Sequence, residues 1–175
     1  YWGFHPGQPQ VLKSSSGQQS EIGPGNIQLL RLGGSGADVV RENLAGGYEG
    51  CFDGGTLPTQ PGNDVGPVTQ GINTRLNRYS GSPGGARDIY PPDVVTRQPQ
   101  PPLDYDDTTG QITQGGQPVN DASQMDFNYS DYQDAIESGN FDVQPAPSGY
   151  AAFERRVMPV PIADCSGVNS GQSDL

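Results

Sequence analysis

The chain has 175 residues, of which 9 are basic and 20 are acidic, and its formal net charge is −11. Such a charge repels phosphate backbones and anionic membrane surfaces, so nucleic acid and anionic lipid are not expected as partners. Hydrophobic residues make up only 31% of the chain, which also contains 26 glycines and 17 prolines. This composition predicts a single domain over 1–175, in which a small core carries long, turn-rich loops.

The first regular elements are predicted after the motif Pro24-Gly25-Asn26, which has the residues of a tight turn. The apolar run Ile27–Leu32 then predicts a strand. A helix is expected over Gly36–Ala45, because Ser35 can cap its start and Gly46-Gly47 can end it.

A second helix is predicted over Gly66–Tyr79, after the turn Pro61-Gly62-Asn63. Asn63 or Asp64 can act as its N-cap, and Pro67 falls in the first turn, where a missing N–H costs nothing. Apolar side chains recur at helical spacing on one face, at Val68, Ile72, Leu76 and Tyr79. We therefore expect this face to be buried.

Residues 80–150 differ in composition and contain two proline pairs, which predicts a loop-rich insertion and not a second core. Within this segment, Asp104, Asp106 and Asp107 come shortly before Gly110. The pattern favours a turn between two short strands, with Gly110 at positive φ. Closely spaced carboxylates also suit calcium, so a calcium loop is the alternative interpretation, although the spacing does not fit an EF-hand.

Two further elements are predicted later in the chain. A helix is expected within Met125–Asn140, with Ser130 and Gln133 as a capping box and Gly139 at its end. A strand is expected over Ala151–Ile162, either at a sheet edge or irregular, because its alternating prolines remove N–H donors.

Together these elements predict an α+β fold. We expect a small mixed domain with few short strands, two to three short helices and long Pro/Gly-rich loops. The pair Arg155-Arg156 has two open interpretations in so acidic a chain. It is either a solvated pair or a contact for carboxylates, of an acidic partner or of the chain itself.

Few residues offer catalytic chemistry. The chain has a single histidine, His5, in a loop-like context before a proline, and a single lysine, Lys13. The sequence has no serine in a nucleophile elbow, no Cys/His spacing that fits zinc, and no phosphate-binding loop. We therefore expect no enzymatic activity and no cofactor, while a carboxylate pair for glycoside hydrolysis stays open.

Several short motifs follow one another in a distinctive order. The first Pro-Gly-Asn precedes an apolar strand, a glycine-rich turn and a helix that ends in Ala-Gly-Gly. A second Pro-Gly-Asn follows, and after it come Gly-Pro-Val, Gln-Gly and Asn-Thr-Arg. This order resembles that of the TadE/TadG-like Flp pilus-assembly proteins, and the run Arg155–Cys165 resembles the closing motif of that family. The matching positions that we expect to shape the backbone are Pro24, Gly25, Asn26, Pro61, Gly62, Asn63, Gly66, Pro67, Gly71 and Arg75.

The resemblance implies an exported accessory or minor pilin-like component of a Flp (Tad-type) pilus-assembly system, acting by protein–protein contact. Its partners would be other pilus-assembly proteins or pilin. It would lie on the periplasmic or extracellular face of the inner membrane, anchored by an N-terminal helix upstream of this chain, since the chain itself has no run of about 18 apolar residues. The alternatives are an exported calcium- or glycan-binding adhesin module and, secondly, a hydrolase.

Two cysteines, Cys51 and Cys165, lie far apart in the chain. In a protein exported to an oxidising compartment, the simplest expectation is one disulfide between them. The alternative is a pair of unrelated buried thiols.

Overall fold

The computed structural model describes residues 5–10, 26–51, 58–61, 65–81, 86–106 and 108–159. Within this part the chain forms four α-helices, a two-stranded antiparallel sheet and a three-stranded antiparallel sheet. The predicted α+β fold with few short strands is therefore confirmed. No helix in the described ranges is long and apolar enough to cross a membrane.

Helices and short strands alternate in the first part of the chain, and the larger sheet follows. The strands are β1 (Asn26–Leu30), β2 (Thr59–Pro61), β3 (Leu103–Asp106), β4 (Gln111–Gln114) and β5 (Gln117–Pro118). The α-helices are α1 (Ala37–Gly46), α2 (Val65–Arg75), α3 (Ala86–Ile89) and α4 (Tyr129–Ser138), and a 3-10 helix spans Ala122–Gln124.

Helix α1 occupies the predicted region, but Ser35 does not cap it. The N-cap is Gly36, which has φ of 109° and provides no side-chain hydrogen bond. A glycine adopts this conformation at little cost, so the chain enters the helix through backbone geometry instead of a capping side chain. The predicted stop is confirmed, since the helix ends at Gly46 and Gly47 is its C-cap.

Helix α2 is shorter than predicted and buries a different face. It ends at Arg75, and the chain then turns through Asn77, whose φ is 61°. The predicted apolar face Val68, Ile72, Leu76 and Tyr79 is only half-buried. The fully buried positions of this helix are instead Gly71, Thr74 and Arg75.

The main hydrophobic core lies where the sequence suggested only an insertion. Its buried members come from residues 94–151: Val94, Val95, Tyr132, Ala135, Val143 and Ala151. The main chain after the Pro91-Pro92 pair runs through this core. There Val94 O accepts hydrogen bonds from the N–H groups of Asp142 and Val143. The expectation that this segment carries no core is therefore wrong, although its interpretation as an insertion stays a prediction.

The predicted turn between short strands is confirmed. Strands β3 and β4 pair antiparallel, with Asp106 opposite Gln111, and Gly110 has φ of 73°. A tight turn then leads into β5 through Gly115 and Gly116, which both have positive φ, as an I′-type hairpin requires.

Helix α4 begins and ends close to the predicted residues, but its capping box is shifted. The N-cap is Asn128, whose side chain accepts from the N–H groups of Ser130 and Asp131, and Asp131 accepts from Asn128 N–H in return. The predicted pair Ser130 and Gln133 is therefore wrong by two residues. Gly139 ends the helix in the left-handed conformation, as predicted.

The predicted strand Ala151–Ile162 is not a regular strand in its described part, which ends at residue 159. Ala151 and Ala152 form only isolated bridges, to Pro145 and Asp93. The chain then turns over 153–156, with Glu154 at φ of 59°. This turn brings Arg155 to the C-terminal end of α1.

Candidate functional site

The two Pro-Gly-Asn motifs meet in the small sheet. Asn26, the last residue of the first motif, pairs with Pro61, the first residue of the second, where β1 and β2 run antiparallel. Pro24, Gly25, Gly62 and Asn63 lie outside the described residues. The described ends of both motifs therefore act together as parts of a strand pair.

Gly71 is the position where α1 and α2 touch. A Cβ at this position would lie 2.6 Å from Arg41 O and 2.8 Å from Leu44 Cβ, distances that real Cβ contacts do not reach. In contrast, a Cβ at Gly66 on the same helix would meet nothing within 4 Å, and Pro67 lies in the first turn as predicted. Only Gly71 is thus required by helix packing.

The close approach places two arginines on the C-terminal end of α1, and we name Arg75 and Arg155 the arginine cap. Arg75 Nε donates to Leu44 O, while Arg155 donates from Nη2 to Ala45 O and from Nη1 to Gly46 O, the last over 3.2 Å. The remaining carbonyl of the last turn, Asn43 O, accepts from Gly47 N–H. All four terminal carbonyls of α1 are therefore bound, and the two positive charges oppose the negative end of the helix dipole.

The arginine cap is tied together and anchored to the core. Arg75 Nη1 donates to Arg155 O over 2.6 Å, and Arg155 Nε donates to Pro91 O over 3.0 Å. Arg75 O in turn accepts from Asp93 N–H over 2.8 Å. The cap thus joins α1, α2, the proline-rich segment and the turn at 153–156.

The carboxylate of Asp93 is fully buried and fully engaged. Its Oδ1 accepts from Val95 N–H over 2.8 Å, and its Oδ2 accepts from Arg156 N–H over 2.9 Å and from Tyr132 Oη over 3.0 Å. Arg156 donates from Nη1 to Arg97 O over 2.7 Å. A carboxylate that is held by three donors and has no exposed surface stabilises the fold and is not accessible to a substrate.

The pKa values in this cluster follow from burial. Burial, and then the Asp93 carboxylate, raise the pKa of Tyr132 to about 12. Burial, and then the charge of Arg155, lower the pKa of Arg75 to about 10, while Asp93 opposes this shift. Burial likewise lowers the pKa of Arg155 and of Arg156. Desolvation thus acts against the charged form of each of these groups.

The two interpretations of Arg155-Arg156 can now be compared with their contacts. Their side chains donate to main-chain carbonyls of α1 and of residues 91–97, and Arg156 also lies over the rings of Phe127 and Tyr132 at 5.5 Å and 5.6 Å. The pair is half-buried and bound within the chain, so it is not a freely solvated pair. The carboxylate that the pair contacts is that of Asp93, which accepts from the main-chain N–H of Arg156.

The described carboxylates of the acidic hairpin act as turn acceptors. Asp106 Oδ1 accepts from the N–H groups of Thr108 and Thr109, and hydrogen bonds from Thr109 and Thr108 lower the pKa of Asp106. Asp104 Oδ1 accepts from Tyr105 N–H. In the part of the chain that is described, no three Asp, Glu, His or Cys side chains are grouped to hold a metal ion. Asp107 lies outside that part, so the calcium loop stays a prediction.

An open groove of about 300 Å³ runs along α4, where the sequence gave no signal of a site. Three of the charged groups beside it are engaged: Asp126 accepts from Gln100 N–H, Asp131 caps α4, and Arg97 pairs with Asp142. A fourth, Asp134, is exposed, and the lining residues include no histidine, cysteine or lysine.

Cys51 is exposed and is a free cysteine. The predicted disulfide to Cys165, which lies outside the described residues, is therefore not formed in this structure, and the alternative of a buried thiol is wrong for Cys51.

A second arginine arrangement lies on the surface. The guanidinium carbon of Arg87 lies 5.2 Å from the ring centroid of Tyr79 and 4.9 Å from that of Tyr150, and we name these three residues the tyrosine-flanked arginine. Of these residues, Tyr150 is 39% exposed. Sequence reasoning missed this site, because its members come from positions 79, 87 and 150, and no local spacing links them.

Comparisons with protein-family models, with curated proteins and with solved structures each found no match for this chain. The function is therefore argued from the motifs and the contacts alone.

Proposed function

We propose that this chain is an exported accessory or minor pilin-like component of a Flp (Tad-type) pilus-assembly system. It acts by protein–protein contact, without catalysis and without a cofactor. Its partners are other pilus-assembly proteins or pilin. Following the resemblance, we place it on the periplasmic or extracellular face of the inner membrane, where an N-terminal helix of the longer protein anchors it.

One observation carries the proposal: motifs that are far apart in the sequence are in direct contact. Arg75, from the Asn-Thr-Arg motif, and Arg155, from the closing motif, both bind carbonyls at the end of α1, where the Ala-Gly-Gly motif lies. Motifs that resembled a family by chance would have no reason to meet in one structural unit. Their meeting supports the view that they form the common scaffold of such a domain.

A contact role agrees with the chemistry of the site. The charged groups of the buried cluster donate to or accept from the chain itself, and the residues that line the groove beside α4 include no histidine, cysteine or lysine. A surface that recognises another protein needs no such group. What it needs is exposed side chains held in a defined orientation, and the tyrosine-flanked arginine has these.

The direct test is deletion of the coding region in the bacterium that encodes this chain, with pili counted by electron microscopy. We expect pili to be lost or strongly reduced, and to return when the intact gene is supplied on a plasmid. Pili unchanged in number and length after deletion would contradict the proposal.

A further inference from the structure

The tyrosine-flanked arginine holds its guanidinium in a defined orientation. The rings of Tyr79 and Tyr150 lie on it at 5.2 Å and 4.9 Å, within the range of cation–π contact. The ring of Tyr79 is itself fixed, because its Oη donates to Tyr90 O over 2.8 Å. The main chain beside Tyr150 is held by Ala151 N–H, which donates to Gln144 O over 3.1 Å. The ring contacts engage the π system of the guanidinium and leave its N–H groups available.

These N–H groups have no acceptor in the described part of the chain. A guanidinium carries five N–H donors. Those of Arg75, Arg97, Arg155 and Arg156 are used in hydrogen bonds to carbonyls or to a carboxylate, whereas no such bond joins Arg87 to a described residue. Arg87 is exposed and does not pair with any described carboxylate, in a chain that has 20 acidic residues.

We propose that the tyrosine-flanked arginine is a docking surface for an acidic segment of a partner protein. The carboxylate of an Asp or Glu side chain binds the N–H edge of Arg87 through two parallel hydrogen bonds. An apolar neighbour of that residue packs on Tyr150, which is 39% exposed. The inference rests on the proposed function in that the partner is a protein.

The surroundings favour a carboxylate over a phosphate. Arg87 is followed directly by the exposed Asp88, so the local positive charge is small. A doubly charged phosphate requires more positive charge than one guanidinium supplies, whereas a carboxylate matches it. The adjacent apolar side chains suit a peptide and offer nothing to a free anion.

The test uses the 175-residue chain and two capped tripeptides, Leu-Glu-Leu and its neutral match Leu-Gln-Leu. Each is titrated into the protein while the Nε–H signal of Arg87 is followed by NMR. We expect a saturable shift with the Glu peptide at millimolar concentration, and affinity at least about tenfold lower for the Gln peptide, which corresponds to about 1.4 kcal/mol. An equal response to both peptides would overturn the proposal, and so would a larger response to inorganic phosphate.

Three variants show whether the response belongs to this site. Followed through neighbouring backbone signals, Arg87→Gln abolishes the response, and Arg87→Lys weakens it, because lysine keeps the charge but loses the planar fork. Arg78→Gln, an exposed arginine next to Tyr79, is the matched control and leaves the response unchanged. A response that survives in both Arg87 variants would also overturn the proposal.

The outcomes separate this inference from the proposed function. If pili are lost on deletion but the Glu peptide gives no response, the docking surface is wrong and the pilus role stands. If the peptide binds but deletion leaves pili unchanged, the surface stands and the pilus role is wrong.

Discussion

Arg75 and Arg87 are the same residue type in opposite situations. Arg75 is 6% exposed and donates to Leu44 O and Arg155 O. Arg87 is exposed, and among the described residues it contacts the rings of two tyrosines and forms no hydrogen bond. Both guanidinium groups are held in place, one by hydrogen bonds within the chain and the other by stacking. A structural arginine therefore differs from one that is available to a partner in whether its N–H groups already have acceptors within the chain.

The largest effect is expected from Arg75→Ala. The change removes charge-assisted hydrogen bonds to two carbonyls and leaves Leu44 O, on a half-buried residue, without its donor, so the free energy of unfolding falls by about 4 kcal/mol. Urea denaturation measures this loss. The control is Arg78→Ala, an exposed arginine on the same connection, which changes stability by less than about 0.5 kcal/mol. Equal losses in the two variants would remove the distinction between buried and exposed arginines.

The next effect concerns the buried carboxylate that supports the cap. Tyr132→Phe removes one of the two donors to Asp93 Oδ2, which lowers the free energy of unfolding by about 2 kcal/mol at neutral pH.

The same variant gives a pH dependence of known sign. Because the pKa of Tyr132 rises from 10.0 to about 12 on folding, the folded chain keeps a proton that the unfolded chain loses between these values. The stabilisation by Tyr132 is therefore complete below pH 10 and is lost as pH rises towards 12. Urea denaturation of both proteins at pH 9 and above pH 11 checks this, and a constant difference between them would contradict it.

A smaller effect is expected at the helix contact that positions Arg75. In Gly71→Ala the new Cβ forces α1 and α2 apart, which costs about 1–3 kcal/mol and outweighs the better helix propensity of alanine. Gly66→Ala in the same helix meets no atom and should be neutral or stabilising by up to about 1 kcal/mol. Both variants make the same Gly→Ala change, so the difference between their thermal denaturation curves reports the effect of packing alone. A stabilised Gly71→Ala would show that the helices do not touch there.

The smallest effect on stability is expected at the surface. Arg87→Gln removes two exposed cation–π contacts and should lower the free energy of unfolding by no more than about 1 kcal/mol, while it abolishes binding of the acidic peptide. Chemical denaturation of the same preparation that is used for the titration measures this change in the free energy of unfolding. A loss as large as that of Arg75→Ala would make Arg87 a structural residue.

Local signals allowed several elements to be predicted from the sequence. Gly110 and Gly139 mark the acidic turn and the end of α4 because positive φ is accessible to glycine at little cost. The start of α4 was predicted two residues late, because Asn128 competes with Ser130 for the same capping role, and tertiary contacts decide between such neighbours.

The rest could not be predicted because it depends on contacts between distant residues. The buried face of α2 contains Gly71, Thr74 and Arg75, which no hydrophobic pattern selects. Val94 and Val95 form the centre of the core, yet two valines after a proline pair have no helical or strand period. Arg87 meets its tyrosines only after the chain has folded.

The arginine cap has a consequence for how the chain is made. Arg155 lies 110 residues after Ala45 and 109 after Gly46. A ribosome that adds about 5–20 residues per second needs roughly 5 to 20 seconds to cover that distance. Throughout this interval Ala45 O and Gly46 O lack the donors that Arg155 supplies, and the entropy of closing so long a loop has not yet been lost. Helix α1 is therefore completed only late in synthesis, and a chain interrupted before Arg155 leaves two of its terminal carbonyls to water.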